Sequence, residues 1–460
     1  MEQKTDWNGK RVVILGGARQ GQAAARWLAR HGAIVTINDR RSVEEMSPAR
    51  TALASTPVKW VLSNHPVEIL DTTDVLCISG GIPLDNPLVI AAVQRGVPLT
   101  NDTQIFMEVS QCRTIGITGS AGKTTTTTLV GQMASNADDK KTFVGGNIGD
   151  PLLNYVDEMA PDALAILEIS SFQLEQMTIS PDVAAILNIT PNHLDRHGTM
   201  EAYTAAKRRI LDFQRADGIA ILNRDDNCSW KLRENVHGRL VSFGADAFPG
   251  KQDGTFLADG TLYLRQRGGE IPLLRADQIP LRGAHNVMNV LAAFAIGYAA
   301  GLPIAAMQAA AAEFRGVAHR LEFVREWNGV QWYNDSIATA PERTMAAIHS
   351  FTEPIVLLLG GRDKNLPWED LAATVRQRVQ HVVLFGEAAD KISAALDRAE
   401  GPLPLTLTRC TGLEEAVQAA AKVASPGSVV LLSPGGTSFD QFYDFEERGK
   451  AFRKWVSELS

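Results

Sequence analysis

The sequence has few cysteines, no long apolar segment and no excess of positive charge, and each absence excludes a class of protein. Lys and Arg number 45 against 52 Asp and Glu, a formal charge of −7, which argues against binding nucleic acid through phosphate contacts. Without a bilayer-length apolar run or an apolar leader, neither a membrane span nor a signal peptide is expected. Four scattered cysteines favour a reduced, cytoplasmic protein without disulfides or a zinc module.

What the sequence does contain is an alternation of apolar, strand-like runs with helix-like segments along almost the whole chain. This alternation predicts an α/β protein with parallel sheets covered by helices. At typical domain sizes, 460 residues allow about three domains. We expect a Rossmann-like domain over 1–110, a central P-loop ATPase-type domain over 111–316 and a Rossmann-like domain over 317–460. Turn signals between short alternating runs predict an antiparallel or irregular insert at 240–283.

The segment "GITGSAGKTT" (116–125) follows a strand-like run and has the character of a phosphate-binding loop. It departs from the usual spelling, because Ile117 stands where a glycine is expected five residues before Gly-Lys-Thr. A glycine turn between a strand and a helix would place backbone N–H groups around one phosphate. Lys123 would add a cation and Thr124 a hydroxyl for Mg²⁺; the alternative is a plain turn with a solvated lysine. The expected phosphate-binding residues are Gly119, Ser120, Ala121, Gly122, Lys123, Thr124 and Thr125.

Glu168 ends the strand-like run "ALAILE", and Ser170 follows it closely. Ligands of open α/β sheets bind beyond the carboxyl ends of the strands. A carboxylate at the end of an apolar strand is costly unless it is paired or binds a metal. We therefore interpret Glu168 as a Mg²⁺ ligand facing the phosphates. The alternative is a charged residue that simply emerges at a strand end.

A polar loop and a helix follow the run "VAAILN". Tyr203 and Lys207 stand four residues apart and share one face of that helix. Loop hydrogen bonding and a solvated lysine are the alternatives to a functional role. The clustered side chains of the loop are His193, Asp195, Arg196 and His197.

Further polar positions mark two other crevices and one helix start. Asn286 and Asn289 are either helix caps or contacts to a base or phosphate. In the first block, "GGARQG" has Ala18 where the dinucleotide-binding motif GxGxxG has its middle glycine, so with Asp39 it supports only a nucleotide-shaped pocket.

Three strand ends of the last block suggest a crevice for an anionic ligand. Their side chains include Asp335, Ser336, Thr339, Arg362, Asp363, Lys364, Thr437 and Ser438.

Nine segments occur in the order typical of the Mur ligase family, which the chain resembles over nearly its whole length. Two of them, "SSFQLE" and "SFDQFYDFEERG", indicate the branch of the family that adds glutamate. The nine segments are "GITGSAGKTT", "GGNIG", "LEISSFQLE", "NHLDRHG", "GAHNVMN", "HRLEFV", "NDSIAT", "LLLGGRDK" and "SPGGTSFDQFYDFEERG".

The resemblance implies a three-domain, ADP-forming amide ligase (a peptide synthase) that builds a peptidoglycan precursor for the cell wall. The first domain would hold the UDP moiety of UDP-N-acetylmuramoyl-L-alanine, the middle domain ATP, and the third the incoming glutamate. ATP would phosphorylate the alanine carboxylate to an acyl phosphate, which the glutamate amine attacks before phosphate leaves. Two Mg²⁺ ions would screen the approach of the anions. A monomer without a nucleic-acid or membrane partner is expected.

The resemblance also assigns roles to individual residues. Lys207 matches a lysine that the family carries in N6-carboxylated form, which would turn a cation into a metal ligand. The implied catalytic residues are Lys123, Lys207 and His193, and the implied metal ligands are Thr124, Glu168, His193 and Lys207. The implied nucleotide contacts outside the loop are Asn286, Asn289, Arg320 and Asp335. The implied substrate contacts are Arg19, Asp39, Arg41 and Gly81 for UDP, Asn147 and Ser170 beside the phosphate region, and Thr339, Lys364, Ser438, Phe439 and Phe445 for glutamate.

One departure from the family pattern concerns the amino-acid site. Ile337 stands where the pattern Asp-Ser-Lys-x-Thr has its lysine. Arg343 and Arg362 are the candidates to replace that cation, and D-glutamate is favoured over L-glutamate. The alternatives are a ligase specific for L-glutamate, another Mur-like or folylpolyglutamate-like ligase, a nucleotide-binding regulatory protein, and an NAD-linked dehydrogenase.

Overall fold

The structure, a computed structural model, describes residues 6–137, 141–248, 250–402 and 404–460. The strands of this described part form three sheets of five, nine and six strands, one in each predicted block, which confirms the three-domain α/β class. The chain divides into two compact units. The first runs to Pro280 and resumes with Ala284–Phe314, and the second contains Leu281–Gly283 and Arg315–Ser460. The first unit contains the first two sheets, and the domain boundaries near 110 and 316 stay predictions.

The N-terminal sheet is parallel throughout, in the order β3-β2-β1-β4-β5. Its strands are β1 (Arg11–Leu15), β2 (Ile34–Asp39), β3 (Val58–Leu62), β4 (Val75–Ile78) and β5 (Leu99–Thr100). Its helices are α1 (Arg19–Arg30), α2 (Ser47–Ala52), α3 (Pro87–Gln94) and α4 (Asp102–Val109). The strand order reverses between β1 and β4, which places a crevice at the carboxyl ends of these strands. This arrangement agrees with the Rossmann-like expectation.

The central sheet has the order β14-β13-β12-β11-β10-β9-β6-β8-β7. Its strands are β6 (Arg113–Thr118), β7 (Thr142–Gly146), β8 (Leu164–Glu168), β9 (Val183–Ile186), β10 (Ile219–Asn223), β11 (Arg239–Phe243), β12 (Gly254–Ala258), β13 (Thr261–Gln266) and β14 (Gly269–Arg275). Neighbouring strands are parallel from β7 to β12, and β12, β13 and β14 form an antiparallel meander. The meander confirms the predicted antiparallel insert.

Seven helices of the described residues belong to the same block as the central sheet. They are α5 (Lys123–Ser135), α6 (Ser171–Leu174), α7 (Leu194–His197), α8 (Met200–Asp212), α9 (Asn227–Lys231), α10 (Ala284–Ala300) and α11 (Ile304–Glu313). Helices α10 and α11 pack against α5, the helix that follows the phosphate-loop sequence. None of the helices in the described part of the chain is long and apolar enough to span a membrane.

The C-terminal sheet has the order β15-β16-β20-β17-β18-β19, with β15 antiparallel to β16 and the other neighbours parallel. Its strands are β15 (Glu322–Trp327), β16 (Val330–Asn334), β17 (Ile355–Gly360), β18 (Val379–Phe385), β19 (Thr406–Arg409) and β20 (Val429–Gly435). Its helices are α12 (Pro341–Ile348), α13 (Glu369–Arg378), α14 (Ala389–Arg398), α15 (Leu413–Val423) and α16 (Phe445–Ser457). The central strands are buried on both faces, as their continuous apolar sequences predict.

Side-chain hydrogen bonds join the first two sheets within the first unit. The Asn101 amide, which caps α4, donates to the Gln173 carbonyl over 2.9 Å. The Gln173 amide donates in turn to Thr103 Oγ1 over 2.7 Å. Arg196 donates to the Ile82 carbonyl, 2.7 Å away. The segment "SSFQLE" therefore lies at the junction of the N-terminal and central sheets.

Asp102 is a buried acid in the first turn of α4, with 6% of its surface exposed. Its Oδ1 has no hydrogen-bond partner among the described residues. Burial raises the pKa of Asp102 to about 7, although the backbone N–H groups of Thr103 and of Asp102 itself lower it. The same carboxyl has a pKa of about 3.9 in an unfolded chain. At a pH between these two pKa values, Asp102 is mostly protonated in the folded protein and mostly ionised in the unfolded chain.

We expect Asp102→Asn to raise the thermal unfolding midpoint, and to raise it more at about pH 8 than at about pH 5. Because the folded-state pKa is raised, the stability is complete below the unfolded pKa and falls as the pH rises through about 4 to 7. The full loss is at most about 4 kcal/mol, at about 1.4 kcal/mol per pKa unit. Scanning calorimetry measures the midpoints, with Asp85→Asn as the exposed control. Equal shifts at the two pH values would contradict this account of Asp102.

Candidate active site

Gly122 gives the phosphate loop its turn. It has φ 82° at the residue before α5, in the left-handed region that glycine adopts without strain. A Cβ at this position would lie 2.2 Å from Asn289 Oδ1. The N-cap residue, being a glycine, has no side chain to cap α5, and this end of the helix carries the positive end of its dipole. The loop therefore has the backbone form that a phosphate-binding turn requires.

The loop is fixed by the residues that follow β9. The backbone N–H of Ser120 donates to the Asn188 carbonyl over 2.9 Å. Ala121 exchanges two hydrogen bonds with the Asn188 side chain, at 2.8 and 3.1 Å. Ser120 Oγ donates to the Thr190 carbonyl over 3.0 Å. Because three of these bonds use backbone atoms of the loop, they set its conformation directly.

Two lysines converge on one carbonyl of the loop. Lys123 Nζ donates to the Gly119 carbonyl over 2.8 Å, and Lys207 Nζ donates to the same oxygen over 3.0 Å. Lys207 is 1% exposed, so the alternative of a solvated lysine is wrong. Burial, followed by the charge of Lys123, lowers the pKa of Lys207 well below its ordinary value, and Glu168 opposes this shift. The site thus shifts Lys207 towards its neutral amine form.

Glu168 is the last residue of β8 and is 2% exposed. Thr124 Oγ1 donates to its Oε2 over 2.8 Å, and the Asn147 amide donates to its Oε1 over 3.1 Å. The alternative, a charge emerging into solvent at the strand end, is therefore wrong. Carboxylate and hydroxyl oxygens are the ligands that Mg²⁺ prefers, so Glu168 and Thr124 fit this ion.

The described residues contain no group of three or more His, Cys, Asp or Glu that could hold a metal. Mg²⁺ usually keeps several waters and binds proteins through one or two carboxylates together with substrate phosphates. A single carboxylate beside a hydroxyl agrees with that pattern, because the phosphates would complete the coordination.

The histidine loop is held by aromatic and polar contacts around Phe172. His197 Nδ1 lies 2.9 Å from Glu175 Oε1, and its Nε2 lies 3.0 Å from Ser171 Oγ. The Arg196 guanidinium lies 4.1 Å from the centre of the Phe172 ring. These contacts give His197 and Arg196 structural roles, as the loop hydrogen-bonding alternative expected.

His193, which the resemblance implies as a metal ligand, has φ 53° and directly precedes α7. Its ring meets the edge of Phe172, with ring centres 5.1 Å apart. The ring is exposed, so it is accessible to a ligand, and its metal role stays a prediction. Of Asp195, only its position within α7 is described.

Tyr203 links α8 to the phosphate loop. Its hydroxyl lies 3.1 Å from Ser120 Oγ, and its ring centre lies 4.7 Å from Lys207 Nζ. The predicted shared face of Tyr203 and Lys207 is thus directed at the loop. Ser170, beside Glu168, caps α6 by a reciprocal hydrogen-bonding pattern with Gln173, so its side chain already has a structural partner.

Asn286 and Asn289 lie inside α10, which begins at Ala284, so the alternative that they cap the helix is wrong. The Asn289 amide donates to Asn286 Oδ1 over 3.0 Å. Since Asn289 also lies against Gly122, the pair extends from the phosphate loop along α10. Contact with the nucleotide stays a prediction for both side chains.

The residues expected to hold UDP lie at the carboxyl ends of the N-terminal strands. Asp39, at the end of β2, accepts from the Gly17 N–H over 2.9 Å and from the Arg41 guanidinium over 2.7 Å. Burial would raise the pKa of Asp39, but the hydrogen bonds from Arg41 and Gly17 outweigh it and lower this pKa to about 2. Arg19 and Gly81 are exposed, in α1 and after β4.

All five residues expected to bind the amino acid belong to the second unit, and two of them are in contact. Lys364 Nζ, after β17, donates to Thr339 Oγ1 over 3.3 Å. Ser438 is buried and Phe439 is 60% exposed, and Phe445 begins α16. The loops after β16 and β17, two of the three strand ends expected to form the anion-binding crevice, thus meet at Thr339.

Asp335, expected at the nucleotide, is buried after β16 and accepts from Ser433 Oγ over 2.8 Å. Burial raises the pKa of Asp335 to about 7, against the hydrogen bonds from Ser433 and Leu321 and the charges of Arg320 and Arg343. Both Asp335 and Arg320 belong to the second unit. Their contact with a nucleotide stays a prediction.

Three family models match the chain. The models match the N-terminal domain of MurD-like Mur ligases at 10–101, the Mur ligase middle domain at 117–297 and the Mur ligase glutamate ligase domain at 319–436. The chain belongs to the Mur ligase family.

Relatives of this Mur ligase match it along nearly its whole length. The UDP-N-acetylmuramoylalanine–D-glutamate ligase of Acidobacterium capsulatum is 41% identical, covering 97% of this chain and 96% of its own. The enzyme of the same name from Symbiobacterium thermophilum is 39% identical, covering 98% of each chain. The crystal structure of UDP-N-acetylmuramate–alanine ligase MurC from Thermotoga maritima shares the fold, with a TM-score of 0.58, 20% identity and coverage of 98% of this chain and 100% of that one.

Sequence reasoning missed three residues that shape the ligase's sites. Asn188 and Thr190 follow β9, and the rule that ligands bind beyond strand carboxyl ends could have found them. Arg448 is 0% exposed and donates to Ser336 Oγ, to the Ser336 carbonyl and to the Gly436 carbonyl. It therefore joins the loops after β16 and β20, although its polar neighbours in sequence suggest a solvent-facing helix.

We expect Gly122→Ala to weaken ADP binding by at least tenfold, because the new methyl group would displace Asn289 and strain the loop. The matched control is Gly301→Ala, since Gly301 has φ 80° and no atom within 4 Å of an added Cβ. The control incurs only the backbone strain, about 1–2 kcal/mol of stability, and leaves the loop intact. Titration calorimetry with ADP compares the two variants, and equal ADP affinities would contradict the assignment.

Proposed function

We propose that this Mur ligase joins glutamate to the L-alanine carboxylate of UDP-N-acetylmuramoyl-L-alanine and converts ATP to ADP and phosphate. The observation that carries the proposal is the gathering of Lys123, Lys207 and Glu168 around the glycine turn at the carboxyl edge of the central sheet. The names of the full-length relatives supply the substrates and favour D-glutamate. The reaction adds an amino acid to a peptidoglycan precursor.

The chemical problem is to bring two anions together. The alanine carboxylate attacks the γ-phosphorus of ATP and the bond to ADP breaks, which gives an acyl phosphate. The glutamate amine then attacks the carbonyl carbon, the nitrogen loses a proton, and phosphate leaves with the electrons of the C–O bond. Lys123 and the N-terminus of α5 provide positive charge where negative charge must gather, which lowers the barrier to this approach.

Thr124 and Glu168 would hold a Mg²⁺ ion, and His193 with N6-carboxylated Lys207 would hold a second. When bound, these ions would neutralise phosphate charge. The burial of Lys207 supports carboxylation, because the neutral amine is the form that reacts with CO₂. Carboxylation would also place an anion beside the Lys123 cation, which is an electrostatic attraction.

The alternative functions are of two kinds, those outside the ligases and those of ligases with other substrates. The family consists of ATP-dependent amide ligases, which leaves the dehydrogenase and the regulatory protein without support. An L-glutamate-specific or folylpolyglutamate-like ligase differs from the proposal only in its substrates, which activity assays separate. Monomeric state and cytoplasmic location stay predictions.

With ATP and UDP-N-acetylmuramoyl-L-alanine present, we expect D-glutamate to stimulate ADP release at least tenfold more than L-glutamate. A coupled ADP assay with each enantiomer, and with a folate acceptor in place of the UDP substrate, measures the preference. Stimulation by L-glutamate alone would favour the L-specific alternative. Turnover only with the folate acceptor would overturn the proposal.

We expect Lys207→Ala to reduce ligation by at least a hundredfold, because the variant cannot form the N6-carboxylate. A short carboxylic acid such as acetate should restore part of the activity by occupying the vacated volume. Arg208→Ala is the control, since Arg208 pairs with Asp212 at the surface of the same helix. Full activity of Lys207→Ala, or an equal loss in the control, would exclude the role assigned to Lys207.

A further inference from the structure

Lys364 lies close to two other positive charges, those of Arg343 and Arg448. Burial lowers the pKa of Lys364, and the charges of Arg343 and Arg448 lower it further. No carboxylate of the described residues contributes an opposing shift. Neither Lys364 nor Arg343 forms an ion pair with an acid in the described part of the chain. Like charges held together in this way mark a place where an anion is stabilised.

Hydrogen bonds direct these cations to one short loop between β16 and α12. Lys364 Nζ donates to Thr339 Oγ1 over 3.3 Å. Arg343, in the first turn of α12, reaches back to the Ile337 carbonyl over 3.4 Å. Arg448 donates to Ser336 from beneath the loop. Three cations thus contact residues 336–339 from three different elements.

Two neighbouring cations, Arg362 and Lys391, differ from Arg343 and Lys364 in that each forms an ion pair with an acid. Arg362, two residues before Lys364, donates to both carboxylate oxygens of Glu387 over 2.8 and 2.9 Å. Lys391 forms an ion pair with Asp363. The fold therefore pairs Arg362 and Lys391 with acids, whereas Arg343 and Lys364 form no ion pair among the described residues, and the acid near Arg343 is the buried Asp335. Of the two arginines that could replace a lysine at position 337, Arg343 contacts residue 337 itself, whereas Arg362 pairs with Glu387.

Arg343 is also the cation best placed to meet a ligand. Arg448 is fully buried and its donors are used on the loop backbone and Ser336, so it positions the loop. Arg343 is exposed, and its single bond to the Ile337 carbonyl is long. A guanidinium offers several parallel donors and can bind one carboxylate through two of them.

We propose that Arg343 acts with Lys364 to bind one carboxylate of the incoming amino acid. This inference rests on the proposed function and extends it by naming a residue that determines affinity for the amino acid. Thr339 already accepts from Lys364 and precedes Arg343 by four residues, so it would orient the same carboxylate. The substrate class is an amino acid whose carboxylate is ionised at neutral pH.

Steady-state kinetics of the full chain tests the inference. We expect Arg343→Ala to raise the KM for glutamate about 10- to 100-fold, with the KM values for ATP and the UDP substrate within twofold of the wild type. Arg343→Lys should recover much of the loss, because it keeps the charge. Arg409→Ala is the control and should leave the KM for glutamate within twofold, since Arg409 is an exposed arginine of the same unit that pairs with Asp390. Thermal midpoints of all variants establish that they fold.

The outcomes separate this inference from the function on which it depends. If the wild type releases no ADP in response to glutamate, both are overturned. If the wild type turns over and Arg343→Ala keeps its KM for glutamate, only the inference on Arg343 falls. An equal effect of Arg409→Ala, or a parallel rise in the KM for ATP, would also overturn it, since either result indicates a general disturbance of the unit.

Discussion

Glu168 is kept away from water at the end of β8, and its burial is tolerated because Thr124 and Asn147 donate to its two oxygens. Across the same strand ends, Lys123 and Lys207 share the Gly119 carbonyl. Hydrogen bonds within the protein thus fix the positions of the carboxylate and the two lysines. Groups arranged in advance can stabilise a developing charge without reorganising, which is the main electrostatic contribution to catalysis.

The sheet order explains why these groups meet. Strands β9, β6 and β8 are parallel neighbours, so the loops that follow them emerge side by side. The loop after β9 supplies Asn188, which pins the phosphate loop through its backbone and side chain. From the other side, Asn289 of α10 occupies the space that only a glycine at 122 leaves open. The conformation of the phosphate loop is therefore set by rigid elements.

Much of this arrangement could be predicted from the sequence, because strands buried on both faces have continuous apolar sequences and glycine turns follow them. The three sheets and the antiparallel insert belong to this class. The burial of Arg448 could not be predicted, because this residue lies among charged residues of a helix whose sequence pattern does not indicate a buried guanidinium. Asn286 and Asn289 were ambiguous, since the start of α10 has no sequence signal that separates a cap from an interior residue.

The central claim is that this site activates a carboxylate by transferring phosphate to it. Oxygen transfer from UDP-N-acetylmuramoyl-L-alanine labelled with ¹⁸O in its terminal carboxylate tests that claim most directly. The account predicts that each ligation moves one labelled oxygen into inorganic phosphate, because the carboxylate oxygen becomes the bridge of the acyl phosphate. Unlabelled phosphate from a reaction that still forms the amide would contradict it.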